Sequence, residues 1–364
     1  MRILNIIQCT NLGGMEHASL RLMKGLQQLG HGCRVLSLNP IGEMRSLLAE
    51  ADIPAEGMVY SGIGGWQSYK MLSHKLAGIR IDGLLMTGHN LMAIAALRNI
   101  ANGHRLLAMH YHHMGVKPDW QWRLIYEAAR RKFNIITFPS DFVRNEAIKI
   151  CPAIVKMSYT VRNPLPIPEA ITHEQRQQAR TALGIPANVK VVGNAGWLIE
   201  RKRFDIFLRV AKEIIIAERD VFFAIAGDGV ERKPLEQLAD DLGISQHILW
   251  LGWQKDLSSF YKSIDVLLFN SDWDAFPTTP QEAMSWGVPV VASNLHGGLD
   301  EVISSSKYGF LFKNHDIKGL ADAVKFLIQS EDTELGLNSR ALIQEMCDAT
   351  TISKQVESFL LGDR

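Results

Sequence analysis

The chain has 364 residues, 47% of them hydrophobic and 21% charged, with a formal net charge of +1; that length exceeds what one hydrophobic core usually serves, so two domains of about 150–200 residues are expected. No apolar run approaches the ~18 residues of a membrane span, and residues 1–10 are too few and too polar for a signal peptide. Cys9, Cys33, Cys151 and Cys347 are scattered, which argues against a disulfide framework or structural zinc and fits a reducing cytoplasm.

Charge is unevenly spread. Residues 1–160 carry 18 Lys and Arg against 10 Asp and Glu, a balance of +8 that the rest of the chain offsets. An anionic partner or anionic membrane surface for the first half, and a chance distribution of solvated charge, both fit that split.

Residues 3–7 read as a buried first strand, and the turn Asn11-Leu12-Gly13-Gly14-Met15-Glu16 leads into a helical pattern over 17–29. Gly13 and Gly14 would let backbone approach a ligand closely, or would make a tight structural turn; both readings stay open. Further strands are expected at 34–39, 58–60 and 83–87, with a helix at 44–51 and a loop at 61–65. This alternation argues for a parallel sheet covered on both faces.

A strand at 105–109 runs into His110-Tyr111-His112-His113. At a strand's carboxyl end such histidines suit contact with a polar ligand better than metal ligation, for which no carboxylate lies at close spacing. The expected helix over 120–133 combines Trp120 and Trp122 with Arg123, Arg130, Arg131 and Lys132. It reads either as a membrane-surface helix or as an ordinary amphipathic helix with its tryptophans inward. After a strand at 134–138 and a helix capped by Ser140, the prolines at 164, 166 and 168 and the polar run to Gln178 suggest a linker plus a short helix.

The second half opens with a strand at 189–193, then Gly196-Trp197 and the basic run Arg201-Lys202-Arg203 entering a helix over 204–217. Strands at 221–226 and 248–251 end in the turns Gly227-Asp228-Gly229 and Gly252-Trp253-Gln254. Residues 264–293 are the centre of the chain. They read as strand (266–269), loop (272–277), helix and strand (288–292), with Thr278 and Thr279 as caps, Pro280 near the first helical position, and Gly287 and Pro289 as stops. Such a βαβ unit sets its first loop at the carboxyl edge of a parallel sheet, where ligands bind, and its free helix N–H groups favour phosphate. A short strand at 309–312, a helix at 318–328 and a last helix around 352–361 that packs back on the first domain complete the reading.

With Asp274 and Glu282 eight positions apart, Gly287-Val288-Pro289, Gly227-Asp228-Gly229, Gly297-Gly298 and the Gly13-Gly14 turn assembled, the chain resembles the retaining nucleotide-sugar glycosyltransferases of family 4, glycosyl transferases group 1. The resemblance implies a GT-B α/β fold: two Rossmann-like doubly wound domains facing a central cleft. Residues 1–165 would form the acceptor domain and 166–345 the donor domain, with 346–364 as the returning helix. It also implies a metal-independent hexosyltransferase in polysaccharide biosynthesis. A sugar would move from a nucleoside-diphosphate donor to a hydroxyl of a glycan, lipid-linked or small-molecule acceptor, with no cofactor and no nucleic acid.

In this reading Glu282 holds the ribose hydroxyls and Asp274 faces the donor sugar. Amides from Phe276, Thr278 and Thr279, with Pro277 shaping the same turn, cradle sugar and diphosphate, Lys202 and the Gly13-Gly14 turn neutralise the leaving group, and His110, with His112 second, contacts the sugar. Trp197, Arg201 and Gly252 complete the donor-binding set. Two departures stand out: Asp274 is one methylene shorter than the family's usual Glu, and Trp197 stands where the family has a phosphate-binding Arg, a charge that Arg201 or Arg203 would have to supply. Rival readings are a catalytically degenerate sugar-nucleotide-binding subunit and a GT-B epimerase or phosphorylase. The expected location is the cytoplasm, with the inner membrane face as the alternative that a docking basic helix would give.

Overall fold

The computed structural model describes residues 1–364 except 12, 60–65, 98–104, 110–116, 187–188, 219, 294–296, 314–315, 331–333 and 363–364, and of residues 67, 68 and 105–109 it describes the backbone. The chain divides into two compact units, Met1–Leu165 with Cys347–Arg364, and Pro166–Met346.

The first unit alternates strand and helix: β1 (Arg2–Ile7), α1 (Gly14–Gln28), β2 (Gly32–Ser37), α2 (Arg45–Glu50), β3 (Ala55–Gly57), α3 (Trp66–Ala77), β4 (Gly83–Thr87), α4 (Leu91–Ala96), β5 (Arg105–Met109), α5 (Asp119–Ala129), β6 (Ile135–Phe138), α6 (Asp141–Ile150) and β7 (Ser158–Thr160). The seven strands are parallel, in the order β3-β2-β1-β4-β5-β6-β7. Strand order reverses between β1 and β4, so the Gly13-Gly14 turn at the start of α1 lies at a topological switch point, where open α/β sheets bind ligands.

The second unit comprises α7 (His173–Ala182), β8 (Lys190–Ala195), α8 (Phe204–Ala217), β9 (Val221–Ala226), α9 (Arg232–Asp241), β10 (Ile248–Gly252), α10 (Ser258–Ser263), β11 (Val266–Phe269), α11 (Thr278–Ser285), β12 (Val290–Ser293), β13 (Phe310–Phe312), α12 (Ile317–Gln329) and α13 (Glu334–Cys347). Its parallel order is β10-β9-β8-β11-β12-β13, with the switch point between β8 and β11. Val192, Phe207, Val210, Ile214, Phe223, Ile225, Leu268 and Val324 are among the buried residues of its core.

The last helix, α14 (Ala349–Leu361), belongs to the first unit. Asp348 caps it by accepting from the Thr351 N–H at 2.8 Å, and Ile352, Val356 and Leu360 join Leu22, Met23 and Leu26 of α1 in one core. A Cβ at Gly25 would lie 2.0 Å from Ser353 Oγ, so glycine is what lets the two helices approach this closely.

The α/β reading holds, with local corrections. The strand expected at 58–60 is Ala55–Gly57, because the edge pairing of β2 selects Val35 opposite Ala55 and overrides the more apolar Met58. Of the two α5 tryptophans, Trp122 is buried and stacks on Tyr126 while Trp120 is exposed, so the inward orientation holds for Trp122 and not for Trp120. The loop expected at 61–65 lies outside the described residues. Among the described residues no helix is long and apolar enough to cross a membrane.

Candidate functional site

The site is built at the β8/β11 switch point of the second unit. After β8 the chain turns at Gly196, passes Trp197, makes a short 3₁₀ turn over Glu200–Lys202, and enters α8 through Arg203, which takes the left-handed conformation with φ 46°. A non-glycine residue rarely holds that conformation without support. Here it comes from two carboxylates: the Arg203 guanidinium donates to both oxygens of Asp205 at 2.9 Å and to Asp272 at 3.1 Å.

The loop after β11 is stitched to this turn. Asp272 N–H and Ser271 Oγ donate to the Arg201 carbonyl at 2.8 and 3.1 Å, and Arg201 Nη1 returns a bond to the Trp273 carbonyl at 3.1 Å. Its guanidinium stacks 4.6 Å over the Trp273 ring.

Asp274 closes the cluster. One carboxylate oxygen accepts from Arg201 Nη1 at 3.0 Å and the other from Lys202 Nζ at 2.7 Å. The Lys202 ammonium also lies 5.2 Å from the Phe269 ring centre. Burial pushes the Asp274 carboxyl up, yet the charges of Lys202 and Arg201 outweigh it, and the group sits below the ordinary carboxylate value. The backbone at Asp274 is pinned from the far side. A Cβ at Gly297 would meet the Asp274 carbonyl at 1.8 Å, and the next N–H, of Gly298, donates to Ala275 at 3.1 Å.

Charge counting separates the two cation groups. Arg203 faces two carboxylates, one of which also feels Arg209, so that group is balanced, whereas Arg201 and Lys202 share one carboxylate, a balance of +1. Surplus positive charge therefore collects at residues 201 and 202.

Helix α11 starts beside this cluster. Thr278 and Thr279 were expected as its caps with Pro280 near its first position; the N-cap is instead Pro277, which makes no side-chain cap, and Thr278 is the first helical residue. The Thr279 hydroxyl donates to the Ala195 carbonyl at 3.2 Å, spanning the switch point from α11 to the end of β8. That strand-end carbonyl needs a donor, which is why the hydroxyl turns away from its own helix. Phe276 and Pro277 are buried under the turn.

One turn further on, Glu282 accepts a hydrogen bond from the Tyr261 hydroxyl at 3.0 Å. Tyr261, on α10, is buried, and its hydroxyl also lies 3.4 Å from the Thr279 carbonyl.

The carboxyl ends of β8, β9 and β10 are joined beyond the sheet. Gly196 N–H donates to Ala226, Leu198 N–H to Asp228 and Gly227 N–H to Gly252, at 3.0, 2.9 and 2.8 Å. The indoles of Trp197 and Trp253 meet on this edge at 4.5 Å between centroids, both partly exposed.

Thus Arg201, Lys202 and Asp274 are in direct contact, the Phe276–Thr279 turn and Glu282 follow on the same loop and helix, and Trp197 and Gly252 lie at the neighbouring strand ends. Gly13 and Gly14 begin α1 of the first unit, with Gly13 at the N-cap. His110 and His112 lie outside the described residues. Sequence reasoning missed Tyr261, Trp273 and Trp253, whose roles come from contacts between elements that no local motif encodes.

Residues 175–343 match the family model described as Glycosyl transferases group 1. Over 175 residues the chain is 33% identical to a D-inositol 3-phosphate glycosyltransferase of Corynebacterium urealyticum, covering 46% of this chain and 41% of that protein. Over 161 residues it is 29% identical to the lipopolysaccharide core biosynthesis glycosyltransferase LpsE of Rhizobium meliloti, covering 44% and 46%. The chain thus spans less than half the length of these curated relatives. Over its whole length it superimposes on the crystal structure of HepE from Anabaena in complex with UDP, with a TM-score of 0.86, 20% identity and full coverage of both chains. The same protein in complex with UDP-glucose gives a TM-score of 0.85. The fold is that of the GT-B glycosyltransferases.

Proposed function

We propose that the chain, in which residues 175–343 form a Glycosyl transferases group 1 domain, is a retaining, metal-independent glycosyltransferase that moves a sugar from a nucleoside-diphosphate donor to an acceptor hydroxyl. The observation that carries this reading is the surplus positive charge of Arg201 and Lys202 beside the start of α11, whose N-cap Pro277 makes no side-chain cap, with the Glu282 carboxylate one turn along that helix.

Each part has a chemical task. The step that needs help is departure of the diphosphate, whose developing negative charge is stabilised by fixed cations and helix N–H groups. Lys202 and Arg201 supply the cations, and the Thr278 and Thr279 amides supply the donors. Arg201 takes the part that Trp197 leaves open, because Arg203 is already matched by Asp205 and Asp272. Glu282 accepts from the two ribose hydroxyls, since a carboxylate can take both. Asp274, tied back to both cations, borders the donor sugar. No covalent nucleophile is assigned among Asp274, Glu282 and His110.

The acceptor class in this reading is a glycan, lipid-linked or small-molecule hydroxyl, in keeping with relatives named for inositol phosphate and lipopolysaccharide core. Trp120 and Leu124, exposed beside Arg123 on α5, support peripheral contact with an anionic membrane at its inner face. Cosedimentation with anionic vesicles at low salt checks that contact; equal recovery in the supernatant with and without vesicles rules it out.

The test of the activity is a thermal-shift panel of nucleotide sugars, beginning with uridine donors, followed by transfer assays. A donor well above its dissociation constant raises stability by RT ln(1 + [L]/Kd), about 2.7 kcal/mol at a hundredfold excess. Glu282→Ala and Lys202→Ala are each expected to lower transfer more than tenfold, about 1.4 kcal/mol or more. Near-normal transfer in both folded variants defeats the assignment. The partly exposed Trp197 at a position where a cation is expected favours one second reading, a subunit that binds the donor without turning it over. Donor binding with no hydrolysis and no transfer would select it.

A further inference from the structure

We propose that Asp274 is a displaceable counter-anion: its carboxylate occupies the cation face that the donor diphosphate takes, gives up a contact to Lys202 or Arg201 when the diphosphate binds, and regains it as the nucleoside diphosphate leaves. This rests on the nucleotide-sugar reading and adds a role in binding and release.

Both oxygens of the Asp274 carboxylate are committed, one to Arg201 Nη1 at 3.0 Å and one to Lys202 Nζ at 2.7 Å. The Lys202 contact has the length of a charge-assisted hydrogen bond and the Arg201 contact is slightly longer. The Asp274 side chain is 15% exposed and that of Lys202 13%, so little water screens the contacts. A diphosphate drawn to the same two cations meets a carboxylate of like charge in a partly dry setting, where repulsion is several times stronger than in water.

The cations are held by more than Asp274. Arg201 keeps its bond to the Trp273 carbonyl at 3.1 Å, its stack on the Trp273 ring, and a carbonyl gripped by Asp272 N–H and Ser271 Oγ. Lys202 keeps its contact with the Phe269 ring face. They therefore stay in place when the carboxylate turns aside. The backbone at Asp274 is pinned by the close approach of Gly297 and by the Gly298-to-Ala275 hydrogen bond, so the side chain yields by rotating about its own bonds.

The balance explains why one carboxylate serves two cations. Without it, a +2 cluster would hold the leaving nucleoside diphosphate tightly and slow its exit. With it, the site keeps +1, enough to attract a diphosphate and weak enough to release it. Asp274 thereby trades ground-state affinity for turnover, which fits the principle that binding energy is best expressed in the transition state.

The test uses the full chain and inorganic pyrophosphate, which presents the diphosphate charge without base, ribose or sugar. Calorimetric affinities are compared for wild type, Asp274→Asn, Asp274→Ala and Asp274→Glu. The Asn and Ala variants are expected to bind pyrophosphate at least about tenfold more tightly, with a gain that shrinks as salt rises, while the Glu variant, which keeps the charge, stays near wild type. In steady state the Asn variant is expected to show stronger product inhibition by UDP and slower transfer. For the unmodified chain, the carboxyl-carbon NMR resonance of Asp274 is expected to move on adding pyrophosphate. Wild-type binding of pyrophosphate with equal or weaker affinity in the Asn and Ala variants overturns the counter-anion role and leaves the donor reading standing. An unmoved Asp274 resonance at saturating pyrophosphate overturns the role too, even if the variants do not fold. Failure of wild type to bind both pyrophosphate and every nucleotide sugar overturns the donor reading, and this inference with it.

Discussion

Tyr261 illustrates how a single buried hydroxyl orients a binding carboxylate. Its Oη donates to Glu282 Oε2 at 3.0 Å from a ring that is 2% exposed, so the carboxylate is held in one rotamer by a partner that cannot move away. Replacing it with Phe keeps the ring and removes the donor, so the packing of α10 should survive. A hydrogen bond to a charged group contributes roughly 1.5–3 kcal/mol at most, and a part of that is recovered when water or ribose supplies the missing proton. Tyr261→Phe is therefore expected to raise the donor KM by about three- to thirtyfold with kcat little changed, because ribose binding is equal in the ground and transition states. Steady-state kinetics over donor concentration measure this. A fall in kcat at constant KM would show that Tyr261 acts elsewhere than on donor binding.

The elements hold the site through the meeting of loops at the carboxyl ends of β8, β9 and β10. Gly227 adopts φ 158°, and a Cβ there would stand 1.9 Å from the Gly196 carbonyl oxygen, so an alanine must push the β8 and β9 loops apart. Gly243 has φ 69° and open space around its Cβ position, so alanine there costs only the backbone preference, about 1 kcal/mol. Gly227→Ala is expected to exceed Gly243→Ala by about 1–3 kcal/mol in urea unfolding and to lower donor affinity, which Gly243→Ala should leave alone. Equal losses in the two variants would mean the loops tolerate separation. The elements that sequence located to the residue were those with the strongest local signals. Val266–Phe269 is a continuous apolar run, and Phe204–Ala217 carries apolar residues at helical spacing, seven of them buried. Helix α9 was not expected, although Leu235 and Ala239 are buried at helical spacing and Leu238 packs beside them; this short apolar stripe lies among charged residues, with Pro234 near its start. The spacing of Asp274 and Glu282 and the basic run at 201–203 were visible as chemistry in sequence. Which cation lies where was not, because the pairing of Arg203 with Asp205 and Asp272, and of Lys202 with Asp274, is decided by a left-handed turn and a loop some 70 residues away.

At the scale of the whole molecule, the last helix completes a core whose other residues lie hundreds of positions earlier. α14 adds Ile352, Val356 and Leu360 to the apolar cluster of α1 and β1, while Glu357 meets His31 at 2.6 Å and Gln355 bonds the Thr160 carbonyl at 3.2 Å. The Leu165 N–H donates to the Cys347 carbonyl at 2.8 Å, anchoring the helix where the chain re-enters the first unit. The buried cluster of the second unit that runs from Val192 to Ile328 contains no residue of α14. Deleting residues 348–364 therefore withdraws three buried aliphatic side chains from one unit only, each contributing about 1.5–3 kcal/mol, and uncovers Leu22, Met23 and Leu26. Summed, that loss is comparable with the whole stability of a typical domain, about 5–15 kcal/mol. Scanning calorimetry of the full chain and of the truncated chain measures the outcome. The truncated chain is expected to lose one transition, or to show it more than about 10 °C lower, with the other unchanged, and the nucleotide-sugar shift of the remaining transition should persist, because Lys202, Asp274 and Glu282 all belong to the second unit. A truncated chain that melts as the full chain does would show that α14 contributes no core to the first unit.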